Sequence, residues 1–351
     1  MERRLSRQIN MGGVKIGGGA PVVVQSMTNT PTQDVGATVK QIDRLRNAGC
    51  ELVRLAVPDM KAASALREIK SQAGIPIIAD IHFDYRLALA AIENGADGLR
   101  LNPGNIGGRR EIQEIVAAAR YQAIPIRIGV NSGSLDRATL RKYGHPTPDA
   151  LVESAMSHVS ILEDLDFHLI KISLKSSDVL HMISAYRLLS KKVDYPLHLG
   201  VTEAGGLISG TVKNSLGIGL LLSEGIGDTI RVSLTRDPVE EVKVAYEILR
   251  ALGLRQRGPE IISCPTCGRC QIDLFTLVET IENALNQITT PIKVAIMGCV
   301  VNGPGEAREA DIGIAGGQGH GTLFKKGRLI KKVPEADLAR VLTEEVKKMV
   351  T

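Results

Sequence analysis

Residues 75–101, IPIIADIHFDYRLALAAIENGADGLRL, contain a complete strand–helix–strand unit. The run Ile75–Ile81 is rich in β-branched residues, and Tyr85–Asn94 has the apolar periodicity of an amphipathic helix. Gly95 then supplies a helix stop just before a second apolar run at Gly98–Leu101. A helix between two apolar runs predicts a βαβ unit with parallel strands.

The same alternation continues from Pro21 to about Leu254. It predicts eight strands, at Val22–Gln25, Leu52–Ala56, Ile75–Ile81, Gly98–Leu101, Ile124–Val130, Ile170–Leu174, Pro196–Val201 and Thr229–Ser233. It predicts helices between them at Thr38–Ala48, Ala62–Ser71, Tyr85–Asn94, Arg109–Arg120, Asp149–Leu165, Val179–Lys191, Val212–Ser223 and Glu240–Ala251. Eight such units in about 230 residues match a parallel (β/α)8 TIM barrel of the α/β class. A doubly wound sheet is the alternative, but its usual G-x-G-x-x-G fingerprint does not follow the first predicted strand.

The pattern changes after Leu254. Residues 255–260, RQRGPE, are polar and turn-rich, as expected of a linker. Beyond them we predict a helix at about Leu274–Asn286, a strand at Ile292–Met297, a glycine-rich run at 313–321 and a final amphipathic helix from Pro334. The sequence therefore predicts a barrel over residues 1–256 and a small α+β domain over residues 257–351.

Basic residues interrupt the predicted strands, although barrels usually fill such positions with branched apolar side chains. They are Arg54, Arg100, Arg127, Lys171 and Arg231, and Lys175 follows the sixth strand directly. A buried cation is costly unless it is paired. Two interpretations stay open: internal pairing with Asp80, Asp97 and Glu203, or a phosphorylated ligand at the mouth of the barrel. We favour the ligand because the cations outnumber the nearby acids.

Polar residues and glycines follow several predicted strands, in the stretches ADIHF (79–83), NPGNIG (102–107), GVNSGS (129–134) and GVTEAGG (200–206). Barrel enzymes carry their active sites on these loops, at the carboxyl ends of the strands. A single residue such as His82 would be a weak signal. Together the loops favour an anion-binding site at this end of the barrel.

Four of the five cysteines lie in the segments CPTCGRC (264–270) and MGCVVNGPGE (297–306). Two thiolates at C-x2-C spacing can bind one metal centre, and a third from a distant loop can join them. Structural zinc is the simplest interpretation, but no second cysteine or nearby histidine accompanies Cys299. An iron–sulfur cluster with a non-cysteine fourth ligand also fits, and Glu306 is a candidate for it. Both interpretations stay open, whereas Cys50, alone in an apolar run, is predicted to be a core residue.

Composition excludes several classes of protein. The 351 residues are 44% hydrophobic and only 3% aromatic, so the chain lacks the base-stacking aromatics of many nucleic-acid binders. The net charge of +5 permits a small anionic ligand but gives no reason to expect DNA or a membrane surface. We find no signal peptide and no apolar run near the roughly 20 residues that span a bilayer. An odd, uneven set of cysteines indicates a reducing cytoplasm.

Longer strings carry a specific resemblance. They are QSMTNT (25–30), ADIHFD (79–84), LRLNPGNIG (99–107), RIGVNSGSL (127–135), LHLGVTEAGG (197–206), SCPTCGR (263–269) and MGCVVNGPGEA (297–307). Over most of its length the chain resembles the 4-hydroxy-3-methylbut-2-enyl diphosphate synthase family. The resemblance implies a (β/α)8 barrel joined to a 4Fe–4S domain. It implies two-electron reductive ring opening of 2-C-methyl-D-erythritol 2,4-cyclodiphosphate, the penultimate step of the non-mevalonate isoprenoid pathway.

The resemblance also implies roles for single residues. The implied cluster ligands are Cys264, Cys267, Cys299 and Glu306. The implied diphosphate ligands are Arg54, Arg100, Arg127 and Lys175, with polar contacts from Asn131, Ser233 and Asn302. Glu203 is the implied catalytic acid of the barrel, and Glu306 is implied to act in catalysis as a displaceable ligand. Lys171 and Arg231 are expected to pair internally, and Cys270 departs from the family pattern.

Partners follow from the same resemblance. It implies a cytoplasmic homodimer in which the cluster domain of one subunit covers the barrel of the other. It implies flavodoxin or ferredoxin as the electron donor. The alternative function is a phosphate-ester-binding barrel of the dihydropteroate-synthase type whose zinc knuckle is only structural.

Overall fold

The computed structural model describes residues 2–299, Gly305 and residues 309–350. Contacts divide the chain into two compact units, the first ending at Arg255 and the second beginning at Gln256. Each unit has its own hydrophobic core. Asn302 and Glu306, to which the sequence analysis gave functional roles, lie outside the described residues.

The first unit begins with a short antiparallel hairpin of β1 (Ile9–Met11) and β2 (Val14–Ile16). Its apolar side chains share a cluster with residues at or near the starts of three later strands: Ile9, Met11 and Ile16 with Val23, Leu52 and Ile78. The hairpin therefore packs against the amino-terminal end of the sheet that follows. The sequence analysis did not predict it, because strands of three residues are too short for a periodic signal.

Eight parallel strands follow. They are β3 (Val23–Met27), β4 (Leu52–Ala56), β5 (Ile77–Asp80), β6 (Gly98–Arg100), β7 (Ile126–Asn131), β8 (Ile170–Lys175), β9 (His198–Leu199) and β10 (Thr229–Ile230). They pair in the order β8-β7-β6-β5-β4-β3-β10-β9. A parallel bridge between Ile172 and Leu197 joins the two ends of this order, β8 and β9. The predicted (β/α)8 barrel is confirmed.

Helices connect these strands. They are α1 (Val35–Ala48), α2 (Met60–Ala73), α3 (Tyr85–Glu93), α4 (Arg109–Tyr121), α5 (Arg137–Tyr143), α6 (Pro148–Glu163), α7 (Val179–Ser190), α8 (Leu207–Ser223) and α9 (Pro238–Ala251). Local sequence sets their ends: Asp34 caps the first turn of α1, and Gly49 ends that helix in a left-handed conformation. The short helix α5 was not predicted. Within the described part of the chain, no helix has both the length and the apolarity to cross a bilayer.

The second unit is a mixed five-stranded sheet with two long helices. Its elements are β11 (Pro259–Ser263), α10 (Leu274–Leu285), β12 (Ile292–Met297), β13 (Ile312–Gly317), β14 (His320–Lys325), β15 (Arg328–Pro334) and α11 (Leu338–Val350). Strands β11, β12 and β13 are parallel, and β14 and β15 continue the sheet antiparallel. Ile281 of α10 and Leu342 of α11 share one core with Val294 and Ile314 of the sheet. The predicted α+β class is confirmed.

Candidate active site

Charged side chains line the interior of the barrel. Across four adjacent strands, Asp80 pairs in register with Arg100, Arg100 with Arg127, and Arg127 with Lys171. Residues paired in this way point to the same face of a sheet, so the four side chains share one face. Arg127 is 2% exposed and Lys171 is 0% exposed, which identifies this face as the interior of the barrel.

Asp80 is shared by two guanidinium groups. Its Oδ2 lies 3.6 Å from Arg54 Nε, and its Oδ1 lies 3.4 Å from Arg100 Nη1. Burial alone would raise the pKa of Asp80, but Arg54, a hydrogen bond from His82 and Arg100 together hold it well below its usual value. Burial lowers the pKa of Arg54 to about 10, against the attraction of Asp80. Asp80 is therefore ionised and holds two of the predicted phosphate ligands in place.

Three interior cations have no carboxylate partner within the described ranges 2–299 and 309–350: Arg127, Lys171 and Lys175. Arg127 Nε and Nη1 and Lys171 Nζ are buried without any hydrogen-bond partner there. Burial first, and the repulsion of neighbouring cations second, lowers the pKa of all three well below the ordinary values. Uncompensated buried cations are costly, and a bound anion would stabilise them.

Internal pairing explains only part of this charge. Asp97 forms its ion pair with Lys70, with Nζ and Oδ2 2.5 Å apart. Arg231 pairs internally as expected, since its Nη2 lies 3.4 Å from Glu241 Oε1. The expected internal pair of Lys171 is wrong, because its Nζ has no hydrogen-bond partner in the described residues and Asp228 acts on its pKa only through longer-range attraction.

The remaining predicted barrel residues lie where the strands end. Asn131 closes β7 and Ser233 follows β10, and both are half-buried. Glu203 is exposed on the loop after β9, with a left-handed backbone φ of +47°. A residue other than glycine is strained in this conformation, and such strain is common at functional sites. The structure therefore places polar side chains and one carboxylate at the carboxyl end of the barrel, where Arg100 and Lys175 are the last residues of their strands.

Two glycines leave room for the cations. A Cβ added to Gly129 would lie 2.7 Å from Arg100 Nε, and one added to Gly200 would lie 2.4 Å from the carbonyl oxygen of Arg231 and 2.9 Å from Lys175 Nζ. These distances are shorter than normal contacts, so a side chain at either position would crowd a predicted phosphate ligand, and at Gly200 also the backbone of the neighbouring strand end. Arg100 uses this space to donate a hydrogen bond of 3.1 Å from Nη2 to the carbonyl of Gly129.

Two buried residues of the site were not singled out by the sequence analysis. Glu241 of α9 accepts hydrogen bonds from Ser26 Oγ at 3.1 Å and from the backbone of Leu234 at 3.1 Å. The Nδ1 atom of His198 lies 2.8 Å from Thr229 Oγ1. Burial, and then the charges of Arg127 and other cations, lowers the pKa of His198 well below its usual value and keeps it neutral. No feature of the sequence distinguishes Glu241 from its neighbour Glu240.

Lys171→Met is expected to stabilise the ligand-free protein by about 1–4 kcal/mol, because it replaces a buried, unpartnered ammonium with an apolar chain of similar length. The folded state lowers the pKa of Lys171. The unfolded chain therefore binds more protons between that lowered pKa and about 10.4, and wild-type stability rises with pH across this window. The variant should lack this rise.

Thermal unfolding at several alkaline pH values measures both effects, with the exposed Lys40→Met as control. A lower Tm for Lys171→Met alone would contradict the prediction.

In the second unit, two predicted cysteine ligands lie at the same edge of the sheet. Cys264 directly follows β11, and Cys299 lies two residues beyond the end of β12, the parallel neighbour of β11. Cys264 Sγ lies 3.4 Å from the backbone nitrogen of Gly298, which accompanies Cys299 at the end of β12. Cys264 and Cys299 are both half-buried. The sheet therefore brings the two distant cysteine segments together.

Cys270 connects these same two segments. Its backbone nitrogen donates to the carbonyl of Cys267 at 2.9 Å, and the next nitrogen donates to the carbonyl of Gly298 at 3.0 Å. Its thiol donates to the carbonyl of Ile272 at 3.3 Å. A Cβ added to Gly298 would lie only 2.4 Å from Cys270 Sγ. Cys270 therefore packs against the end of β12 and holds the Cys264–Cys270 segment there.

The described residues do not contain a complete metal site. Within 2–299, Gly305 and 309–350, no three His, Cys, Asp or Glu side chains are arranged to hold a metal ion. Cys267 is exposed, and the predicted fourth ligand, Glu306, lies outside these ranges. Cys50 is separate from the other cysteines: it is buried in the barrel core, and burial raises its pKa to about 12. Its predicted core role is confirmed.

Two family models match the chain, the GcpE TIM-barrel domain over residues 6–246 and the GcpE protein C-terminal domain over residues 260–348. A relative from Geobacter sulfurreducens, named 4-hydroxy-3-methylbut-2-en-1-yl diphosphate synthase (flavodoxin), is 62% identical over 344 residues and covers 98% of each chain. A relative of the same name from Thermodesulfovibrio yellowstonii is 60% identical over 348 residues, 99% of this chain and 100% of its own.

Among solved structures, the 7,8-dihydropteroate synthase of Vibrio fischeri aligns with a TM-score of 0.50 at 11% identity, over 71% of this chain and 99% of its own. At that identity the likeness shows the barrel fold alone. The two family models together cover most of both units, and the two relatives extend over nearly the whole length. The chain belongs to the GcpE family.

Proposed function

We propose that this protein is an oxidoreductase that converts 2-C-methyl-D-erythritol 2,4-cyclodiphosphate to 4-hydroxy-3-methylbut-2-enyl diphosphate in non-mevalonate isoprenoid synthesis. The observation that carries the proposal is the set of buried cations without carboxylate partners in the described residues: Arg127, Lys171 and Lys175. A diphosphate would supply the negative charge that these unpartnered cations need. The name of the relatives, a diphosphate synthase, supports this choice of ligand.

We assign the diphosphate to Arg54, Arg100, Arg127 and Lys175, with polar contacts from Asn131, Ser233 and Asn302. Guanidinium groups bind phosphate oxygens in bidentate pairs, whereas a lysine acts as a point charge. Asp80 orients Arg54 and Arg100 through its two carboxylate oxygens. Gly129 leaves room for the side chain of Arg100, and Gly200 for that of Lys175. Phosphate binding would return the lowered pKa values of Arg127 and Lys175 toward their ordinary range.

The conversion breaks the ring C–O bond at C2 and releases the C3 hydroxyl as water. It takes up two electrons and one proton. The proton goes to the departing hydroxyl, and the phosphate oxygen released from C2 leaves as an anion. We propose that Glu203 supplies the proton to the departing hydroxyl. A carboxylic acid can act in this way when it reaches the leaving oxygen within hydrogen-bond distance, and the exposed loop after β9 presents Glu203 at the carboxyl end of the barrel.

We propose that residues 257–351 hold a 4Fe–4S cluster through Cys264, Cys267, Cys299 and Glu306, while residues 1–256 bind the substrate. The donor set fits, because thiolates suit iron and a carboxylate is a harder ligand that a substrate oxygen can replace. The adjacent ends of β11 and β12, with Cys264 beside Gly298, support a shared centre. When bound, such a cluster would supply the two electrons one at a time.

Gly298→Ala is expected to lower the iron and sulfide content several-fold, because its methyl group would overlap Cys270 Sγ and push the Cys264–Cys270 segment away from β12. Cys270→Ser should retain the content, since a hydroxyl can also donate to Ile272. The double variant Gly298→Ala/Cys270→Gly should recover it, because the overlap is gone. Iron and acid-labile sulfide per chain after anaerobic reconstitution are the measurement. Iron loss in Cys270→Ser would instead make Cys270 a ligand.

Glu306→Gln is expected to lose most turnover and to release iron more readily, because an amide oxygen is a weaker iron ligand than a carboxylate. The exposed Glu309→Gln is the matched control on the same segment and should behave as the wild type. Turnover and the rate of iron release to a chelator are measured in parallel. Full turnover with a stable iron content in Glu306→Gln would remove Glu306 from the ligand set.

We also propose a cytoplasmic homodimer in which the cluster domain of one subunit acts with the barrel of the other. Flavodoxin or ferredoxin would deliver the electrons, and the relatives' name supports flavodoxin. The cluster thiolates must stay reduced to bind iron, which supports the cytoplasm.

Anaerobic purification tests the function as a whole. We expect a brown protein with about four irons and four sulfides per chain. With reduced flavodoxin it should convert the cyclodiphosphate to the linear product, followed by phosphorus NMR. The alternative, a phosphate-ester-binding barrel of the dihydropteroate-synthase type with structural zinc, predicts a colourless protein that contains zinc and no iron. That result would reject the proposal.

A further inference from the structure

A polar level lies deep inside the barrel, beneath the strand ends. Gln25 of β3, Arg127 of β7 and His198 of β9 are each at most 2% exposed. The register, followed from Gln25 around the sheet in both directions with a stagger of about one residue per strand, puts these three residues at one level with Ile78 of β5. Lys171 of β8, which is 0% exposed, lies one residue lower.

Several polar atoms at this depth have no hydrogen-bond partner within residues 2–299, Gly305 and 309–350. They are both amide atoms of Gln25, Nε and Nη1 of Arg127, Nε2 of His198 and Nζ of Lys171. Nearly all buried polar groups in folded proteins have a partner, and each exception requires an explanation. Four such residues on four strands of one barrel therefore indicate a bound species among them.

Most of these atoms are hydrogen-bond donors. Arginine and lysine side chains only donate, and Gln25 Nε2 also donates. His198 Nδ1 lies 2.8 Å from Thr229 Oγ1, and when that hydroxyl donates to Nδ1, His198 Nε2 carries the proton. Gln25 Oε1 is then the single acceptor among the unpartnered atoms of these four residues. A water molecule needs acceptors for its two hydrogens, whereas an anion only accepts, so the donor set favours an anion.

The diphosphate assigned above does not lie beside Lys171. Its ligand on the same strand, Lys175, is four residues further along β8, which corresponds to about 13 Å. Asp228 attracts Lys171 only from a longer range, and it already pairs with Arg3 at 3.2 Å. When Lys171 is protonated, neither the mouth of the barrel nor a described acid offsets its charge at contact distance.

Apolar side chains close the barrel below this depth. Met11 of the amino-terminal hairpin fills the space beside Gly98, where an added Cβ would lie 2.8 Å from Met11 Cε. Met11 shares a cluster with Leu52 and Ile78 of the sheet. An anion beside Lys171 is therefore shielded from water at this end, and their attraction is screened less than at a surface.

We propose that a monovalent anion of the size of chloride resides in the barrel core, bound by four side chains: Gln25, Arg127, Lys171 and His198. One negative charge matches Lys171, because Arg127 also faces the charge of the diphosphate. A halide accepts hydrogen bonds from several directions, as donors on four different strands require. The core anion and the diphosphate are separate ligands, so both bind at the same time. This inference goes beyond the proposed function, and its test needs no turnover.

Thermal unfolding in chloride and in gluconate of equal ionic strength measures the binding of the core anion. Chloride should raise the Tm of the wild type by at least about 2 °C, because it binds only the folded chain. Lys171→Met should lose this shift, and Gln25→Leu should reduce it. Lys175→Met is the matched control on the same strand and should keep the shift. In gluconate, Lys171→Met should unfold at a higher temperature than the wild type, which shows that the variant folds.

Bromide locates the site. Wild-type crystals grown without halide and soaked in bromide should give an anomalous peak in contact with Lys171 Nζ, and the peak should remain when inorganic diphosphate is also bound. Crystals of Lys171→Met should lack it. An equal chloride shift in the wild type and Lys171→Met would overturn the proposal, and so would a bromide peak only at Lys175 or one that diphosphate displaces. No chloride shift in the wild type would also overturn it, leaving Lys171 as a neutral amine bonded to water. A chain without the proposed activity can still pass this test, so the two proposals fail separately.

Discussion

Chains with Cys264→Ser, mixed with chains with Glu203→Gln, are expected to regain on the order of a quarter of wild-type turnover, although each variant alone should be nearly inactive. Cys264→Ser removes a proposed cluster ligand and leaves the barrel intact. Glu203→Gln removes the proposed proton donor and leaves the cluster intact. If each active site combines one barrel with the partner's cluster, a hybrid dimer holds one complete site and one doubly defective site. Half of a random mixture is hybrid, which gives the expected quarter.

A second mixture controls this experiment. Cys264→Ser mixed with Cys299→Ser should stay inactive, because neither chain can supply an intact cluster. Subunit exchange is followed independently by a tag on one chain and by the mass of the hybrid. If exchange occurs and turnover does not return with Glu203→Gln, catalysis takes place within one subunit and the composite site is wrong. Iron content should be low in Cys264→Ser and normal in Glu203→Gln, which verifies that each variant has the intended defect.

Arg127→Ala and Lys175→Ala are each expected to weaken substrate binding by roughly 10- to 150-fold, because a charge-assisted contact to phosphate contributes about 1.5–3 kcal/mol. Iron content and Tm should not fall, because neither side chain has a carboxylate partner to leave unpaired within the described residues. The double variant should lose more substrate affinity than either single variant, but its fold-loss should be smaller than the product of the two single fold-losses. Arg127 and Lys175 repel each other in the free protein, and removing either one already removes that repulsion, so the effects of the two substitutions overlap.

Substrate affinity is best measured by calorimetry and by KM on the same preparations. Arg44→Ala is the matched control, because its guanidinium lies outside the barrel and pairs with Asp237 at 2.7 Å. Higher salt should weaken wild-type binding more than binding by either variant, since each variant has one fewer cation to screen. Unchanged affinity in both variants would reject the anion site, whatever the cluster domain does.

Local sequence determined most of the barrel. The observed strand Leu52–Ala56 and the later strand Ile292–Met297 have the predicted bounds. Helix ends follow from single residues, as Gly49 after α1 illustrates. These features depend on side-chain periodicity and on capping within a few residues, and both can be evaluated without the rest of the chain.

The sequence did not predict the strands whose formation depends on pairing with other strands of the folded sheet. The glycine-rich run 313–321 was given no structure, yet it supplies most of β13 and the start of β14. Gly313 has no room for a side chain, because a Cβ would lie 2.8 Å from the carbonyl oxygen of Ala295 on the neighbouring strand. Glycine normally weakens a strand, and here the close approach of another strand requires it. Only the folded sheet contains that reason.

The candidate site divides in the same way. From the sequence alone, the residue types and strand positions were enough to predict a barrel with an excess of interior cations, and the cysteine spacing was enough to predict a metal or cluster domain. Tertiary structure decided which cations have partners: Arg231 contacts Glu241, while Lys171 has no partner in the described residues. It also placed Cys270 against Gly298 and left Ile208 and Leu216 of α8 exposed. Ion pairing and burial depend on distances in space between residues far apart in the chain, whereas periodicity and spacing are local properties of the sequence.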